Sequence, residues 1–195
     1  FIDLPLDQDG ILRRIHFFNA TTSYDGNLFL IPSFSLELVR TYLNLSFDFD
    51  FSHSDHFLMG AENEKKIRLP CPDLLINYKG NYRSFDTIPF YKVVQNDFDP
   101  KLVQGRIVII GTALSVDKDF FATPFSRFYK QNPIEFHETF GKVIDQIQGE
   151  QDLGVSCHAH AVETILSQQF IHLASTNVQK LFIICCCVIS IVFYL

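Results

Sequence analysis

The sequence predicts an α/β fold: a mixed, mainly parallel central sheet flanked by helices, with an N-terminal β-hairpin, followed by a transmembrane helix. Three observations carry that expectation. Arg106–Ile110 (RIVII) is a run rich in β-branched residues between Gly105 and Gly111, the pattern of a strand buried on both sheet faces. Asp7-Gln8-Asp9-Gly10 separates the extended segments Phe1–Leu6 and Ile11–Phe18, and an Asp-Gly turn between two such segments is a strong hairpin signal. Finally, Leu181–Leu195 carries no charge after Lys180. A bilayer span needs roughly 20 apolar residues, so this run reads as the start of a membrane helix, the alternative being a buried C-terminal helix.

In chain order, the hairpin leads to the basic pair Arg13-Arg14, expected on the solvent side of a strand, and then to a polar turn at Thr21–Asn27 and the short apolar run Leu28–Ile31. Pro32-Ser33 introduces a helix in which Phe34, Leu36, Leu38, Val39, Tyr42 and Leu43 recur near helical spacing. It is expected to pack on the sheet. Leu45–Lys66, with its FDFDFSHSDHF stretch, reads as a short strand and an exposed loop. Leu74–Tyr78 is a second internal strand, and Ser84–Gln95 holds a short helix beginning near Pro89. Beyond the central strand, Ile134–Ile147 has the spacing of an amphipathic helix, and Ala159–Phe170 that of another, with Ala161, Val162, Ile165 and Leu166 on its buried face. Residues 171–179 link it to the apolar tail, giving two regions, 1–177 and 178–195.

Composition narrows the function classes. A chain of 195 residues, 47% hydrophobic and 19% charged, suits one domain with a sizeable core plus an added segment. A net charge of −6 without a Lys/Arg cluster argues against nucleic acid. A signal peptide would sit at the other end from the apolar run. Because the chain begins with Phe1 and not Met, further sequence is expected upstream. Cys71 and Cys157 read as two separate buried thiols, since sequence cannot place them within bonding distance.

The chemistry-bearing residues gather after the central strand, where open α/β sheets place their ligands. Thr112, Asp117, Asp119 and Thr123 lie on that loop, and His158 begins a helix able to return to it; these five are the candidate ligand-binding set. The competing reading is that Asp and Thr cap backbone N–H groups there and that His158 is a core histidine. For His158 and His160, positions two apart on a helix point in roughly opposite directions, leaving only His160 with Glu163 able to chelate. Neither that pair nor His53, Asp55 and His56 matches a closed metal site, so no metal is expected. Neither a Gly-x-Ser-x-Gly elbow nor a phosphate-binding or dinucleotide glycine motif occurs, and Ser126 and Cys157 have no adjacent base. No cofactor and no catalytic residue is expected.

In this order, DQDGILRRI, SFSLELVR, LLINYKG with SFDTIPFYKVV, LVQGRIVIIGTAL with DFFATPFS, and GVSCHAHAVETIL resemble the CHASE2 family of extracytoplasmic sensor domains. His158 matches the family's usual histidine, whereas Ser156-Cys157 replaces its typical acidic and aliphatic pair, and Arg127–Gly149 is longer than the resemblance leads one to expect. The resemblance covers the later part of the family's domain, without its earlier strand-helix-strand portion and N-terminal anchor. It implies a non-enzymatic input domain of a bacterial receptor in the cell inner membrane, with residues 1–177 on the periplasmic or extracellular side. It further implies a small-molecule or protein stimulus, a homodimer, and a cytoplasmic output module in cis: a nucleotide cyclase, a histidine or Ser/Thr kinase, or a diguanylate cyclase. The second reading, from a different class, is a membrane-anchored envelope enzyme or assembly protein.

Overall fold

The computed structural model describes residues 4–63, 65–113, 119–125 and 151–194. The strands are β1 (Arg14–His16), β2 (Phe18–Thr22), β3 (Leu28–Pro32), β4 (Phe49–Asp50), β5 (His56–Met59), β6 (Ile67–Pro70), β7 (Asp73–Leu75), β8 (Phe120–Phe121) and β9 (Asp152–Leu153). The α-helices are α1 (Phe34–Tyr42), α2 (Phe90–Val94), α3 (Gly154–Ser167) and α4 (Thr176–Tyr194).

Every ladder among the described residues is antiparallel: β1 with β7, β2 with β3, β4 with β5 and β6, and β8 with β9. The parallel contact is the isolated bridge between Ile11 and Ala122. The expectation of a mainly parallel central sheet is therefore overturned. Arg106–Ile110 forms no strand; its residues alternate, Ile107 and Ile109 half-buried, Val108 and Ile110 exposed. A β-branched run signals that a segment is extended and apolar, but not that two neighbouring strands are there to pair with it. Here the strands pair with one another, and only one face of this run is covered.

The N-terminal hairpin is corrected in the same way. Its turn forms: Gly10 N–H donates to the Asp7 carbonyl at 2.8 Å, and Gly10 takes φ 76°, which glycine adopts without strain. Asp7 N–H also donates to the Ile11 carbonyl at 3.1 Å, but beyond the turn the described residues of its legs form no ladder with each other. Leu12 N–H donates to the Ala122 carbonyl at 2.8 Å, and β1 takes β7 as partner, because the first match for its apolar residues lies far along the chain. A hairpin does form at β2–β3, across the polar turn at Thr21–Asn27. Leu45–Lys66, expected to hold one short strand, contributes two of the three strands in the β4–β5–β6 sheet. Phe18, Phe49, Phe51 and Phe57 gather there, with Phe18 edge-on to Phe49 at 5.0 Å between centroids.

Helix α1 follows its sequence signal closely. Ser33 caps it, its Oγ accepting from Leu36 N–H at 3.3 Å, and Leu36 and Val39 are fully buried. It packs against α3. The core between them joins Leu12, Ile15 and Phe17 to Met59, Leu69, Leu74, Cys157, Ala161 and Ile165. Helix α2 starts next to Pro89, as its sequence indicates.

The transmembrane expectation is also overturned: among the described residues no helix is long and apolar enough to cross a membrane. Helix α4 carries Thr176, Asn177, Gln179 and Lys180 in its first turns. The apolar part that follows, to Tyr194, rises only about 21 Å against a hydrocarbon core of about 30 Å. The helix expected at Ile134–Ile147 lies outside the described residues. Cys71 and Cys157 are both free thiols, Cys157 buried as expected and Cys71 exposed.

Candidate functional site

Two strands bring the predicted residues together. β8 and β9 pair Phe120 with Leu153 and Phe121 with Asp152, which lays residues 119–123 beside the entry to α3. Gly154 N–H, an otherwise unpaired donor of the first helical turn, gives its hydrogen bond to the Asp119 carbonyl at 3.0 Å. The Asp119 carboxylate lies over Gly154 so closely that a Cβ there would overlap Oδ1 and stand 2.7 Å from Cγ. On the neighbouring side Gly111 approaches Val155: a Cβ on Gly111 would stand 2.6 Å from the Cβ of Val155. The segments holding Thr112 and Asp119 thus straddle the first turn of α3.

Thr123 is fully buried and donates from Oγ1 to Asp152 Oδ2 at 2.5 Å, while Tyr82 N–H donates to Asp152 Oδ1 at 2.9 Å. Burial pushes the Asp152 carboxyl above its usual range, and the two donors pull the other way. Nearby, the Tyr78 hydroxyl donates to the Leu12 carbonyl at 3.1 Å and also interacts with the Cys157 thiol. Burial pushes that thiol up to about 12, and the carboxylates of Asp152 and Asp119 add to the rise. A thiol so disposed is not a nucleophile near neutral pH. The arrangement is a closed polar clasp that fixes where α3 begins.

Of the five predicted residues, Thr112, Asp119 and Thr123 lie around this clasp, and Asp117 lies outside the described residues. His158 sits on the side of α3 facing α1, its Nδ1 3.0 Å from Ser35 Oγ and its ring edge-on to Phe34. His160 lies on another side, between the rings of Tyr78 and Phe85. The opposed directions expected for positions two apart hold, yet both rings are buried because α3 is covered on most of its circumference. Glu163 is exposed and does not share the surroundings of His160. Asp152 and Tyr78 are not singled out by the sequence: an acid within the polar GEQD stretch looks solvated, and the only signal is that it lies two residues before a helix start.

Burial lowers the pKa of His158 and of His160 to about 4. A histidine depressed on folding contributes stability that is complete above its unfolded pKa near 6.5 and is lost as pH falls toward 4. Each ring is worth about 3 kcal/mol over that window, partly offset by Asp152, whose raised pKa favours the folded state as it protonates. Denaturant titrations between pH 7 and pH 4 are expected to show a loss of several kcal/mol, reduced in His160→Gln. A flat profile would contradict the assignment.

An open groove of about 560 Å³ lies beside β1, where Asp7, Asp9, Arg13, Arg14 and His16 converge. Charges alternate along it. Arg13 bonds Asp9 at 2.7 and 2.8 Å and Asp7 at 3.0 Å, Arg14 Nε bonds Asp7 at 2.9 Å, and His16 Nδ1 lies 2.7 Å from Asp73. The Arg13 guanidinium holds the Asp9 carboxyl down at about 2. From β7 the chain runs directly onto α3. Ile76 N–H donates to the Arg13 carbonyl at 2.8 Å, Asn77 N–H to Thr164 Oγ1 at 3.0 Å, and Lys79 Nζ to Gln169 Oε1 at 2.8 Å.

The sequence model of the CHASE2 domain family matches residues 1–193, nearly the whole chain. No curated protein and no solved structure matches.

Proposed function

Because this chain belongs to the CHASE2 family, whose members are extracytoplasmic sensory domains and not catalysts, we propose that it is the input domain of a bacterial receptor in the cell inner membrane. Its stimulus is a small molecule or protein. Its output module, a nucleotide cyclase, a kinase or a diguanylate cyclase, follows in the same polypeptide. The family match carries this reading, and the clasp around α3 supports it. Eight residues, 168–175, separate α3 from α4, so a displacement of the α3 start has a short covalent route onward. Thr112, Asp117, Asp119, Thr123 and His158 form the stimulus-sensitive region, and the charged groove beside β1 is the place where a polar stimulus reaches it. For such a stimulus to act, it must bind one position of α3 better than another.

Sidedness is tested with Cys71, which is exposed, in a protein whose Cys185, Cys186 and Cys187 are changed to Ser; Cys157 is buried and unreactive. In intact spheroplasts a membrane-impermeant maleimide is expected to label Cys71. Labelling only after lysis would place the domain on the cytoplasmic side and defeat the reading.

A further inference from the structure

The alternating charges beside β1 form a chain of ion pairs with one gap in it. Arg14 and His16, two apart on β1, share the face of the strand opposite to buried Ile15, and in the register His16↔Asp73 the aspartate of β7 stands across from the histidine. The turn before β1 supplies Asp7, which bonds both guanidiniums, and Asp9, which holds Arg13 through both of its carboxylate oxygens.

The two arginines are not used alike. Three hydrogen bonds to Asp7 and Asp9 engage both outer nitrogens of Arg13. Among the described residues Arg14 makes one hydrogen bond, from Nε to Asp7 Oδ1 at 2.9 Å, and its Nη1 stands 3.8 Å from Asp73 Oδ2, too far for another. The Nη1/Nη2 edge of Arg14 is therefore unfilled. So is Asp73 Oδ2, because His16 Nδ1 takes Oδ1 at 2.7 Å. A free guanidinium edge matches a carboxylate through two parallel hydrogen bonds, and the carboxylate oxygen facing it calls for a charged donor. We propose that the groove binds a small zwitterion of the α-amino-acid type, its carboxylate on the Nη1/Nη2 edge of Arg14 and its ammonium on Asp73 Oδ2.

Charge selects this class. Asp7, Asp9 and Asp73 set three carboxylates against the two guanidiniums, on a chain whose net charge is −6, so a simple anion meets a surplus of its own sign. A simple cation leaves the guanidinium edge unfilled. A molecule carrying both groups on one carbon satisfies the two open valences together and brings no net charge. The open volume of about 560 Å³, with Pro5 and Leu6 on its wall, admits an amino-acid side chain without fixing its size. A ligand so placed ties β1 to β7, and the chain beyond β7 reaches α3 where Asn77 N–H donates to Thr164 Oγ1 at 3.0 Å. This ligand class rests on the groove being the place where the stimulus enters.

Calorimetric titration of the 195-residue chain with the common L-amino acids, one at a time up to about 10 mM, is expected to show saturable binding of at least one, with its N-acetyl derivative and its methyl ester at least tenfold weaker. The same amino acid is expected to bind at least tenfold more weakly to Arg14→Lys, which keeps the charge and loses the fork, and to Asp73→Asn. The melting temperature of either ligand-free variant is expected within about 2 °C of the parent's, since partly exposed ion pairs contribute little. Arg106→Lys, at an exposed arginine paired with Asp86, is expected to bind like the parent. No binding by any of them, equal binding of the N-acetyl or ester form, or parent-like affinity in Arg14→Lys and Asp73→Asn would each overturn the proposal. Output of the full-length receptor separates the ligand class from the sensory reading. Output that answers only a stimulus of another class through the same groove overturns the amino-acid assignment alone, whereas Arg14-dependent amino-acid binding without any change in output upholds it and overturns the sensory reading.

Discussion

Replacing Gly154 by alanine is expected to destabilise the protein, although in an open helical position the same change would stabilise it by about 1 kcal/mol. The opposing term is steric. Gly154 N–H is bonded to the Asp119 carbonyl, so the backbone of residue 119 is tied against the helix start, and its carboxylate must turn away to admit a new methyl group. Overpacking of this kind costs about 1 to 3 kcal/mol, and a valine is expected to reach the upper end or exceed it. For a chain of this size each kcal/mol lowers the melting temperature by about 2 to 4 °C. The change is checked by calorimetry of Gly154→Ala, Gly154→Val and the double variant Asp119→Ala/Gly154→Ala. If the carboxylate is the obstacle, the double variant recovers stability relative to the sum of the two single changes. Additive losses would show that something else occupies the space.

What the sequence revealed depends on how locally each feature is determined. Helix α1 was legible because its cap, Ser33, and its buried residues, Leu36 and Val39, all lie within ten positions. The turn at Asp7–Gly10 was legible for the same reason, since an Asp-Gly step specifies its own conformation. Pairing was not. Ile15 finds Leu74 and Leu12 finds Ala122 far along the chain, and nothing in either segment's own residues announces that partner. The same difference explains why Arg106–Ile110 reads as a central strand in sequence: its composition reports an extended apolar segment, and its neighbours are decided elsewhere. Thr123 and Asp119 could be singled out as polar groups near a turn, but their meeting with Asp152 required the β8–β9 pairing to be seen. His158 was identified from its helix position and its family match, while its partner Ser35 lies on a helix 123 residues earlier.

We propose that the position of the α3 start carries the signal, which output of the full-length receptor reads out. Thr123→Val keeps the shape of the side chain and removes its hydrogen bond to Asp152, which loosens the clasp without emptying the core. Leu69→Ala, a fully buried change on β6, serves as the control, because it is expected to cost about 2 to 5 kcal/mol without touching the clasp. At matched protein levels and below both melting temperatures, Thr123→Val is expected to shift output, or its response to stimulus, by on the order of fivefold or more, as a coupling free energy of ordinary size would. Leu69→Ala is expected to leave output near that of the parent. Parent-like output from folded Thr123→Val, or equal changes in both variants in proportion to lost stability, would contradict the claim.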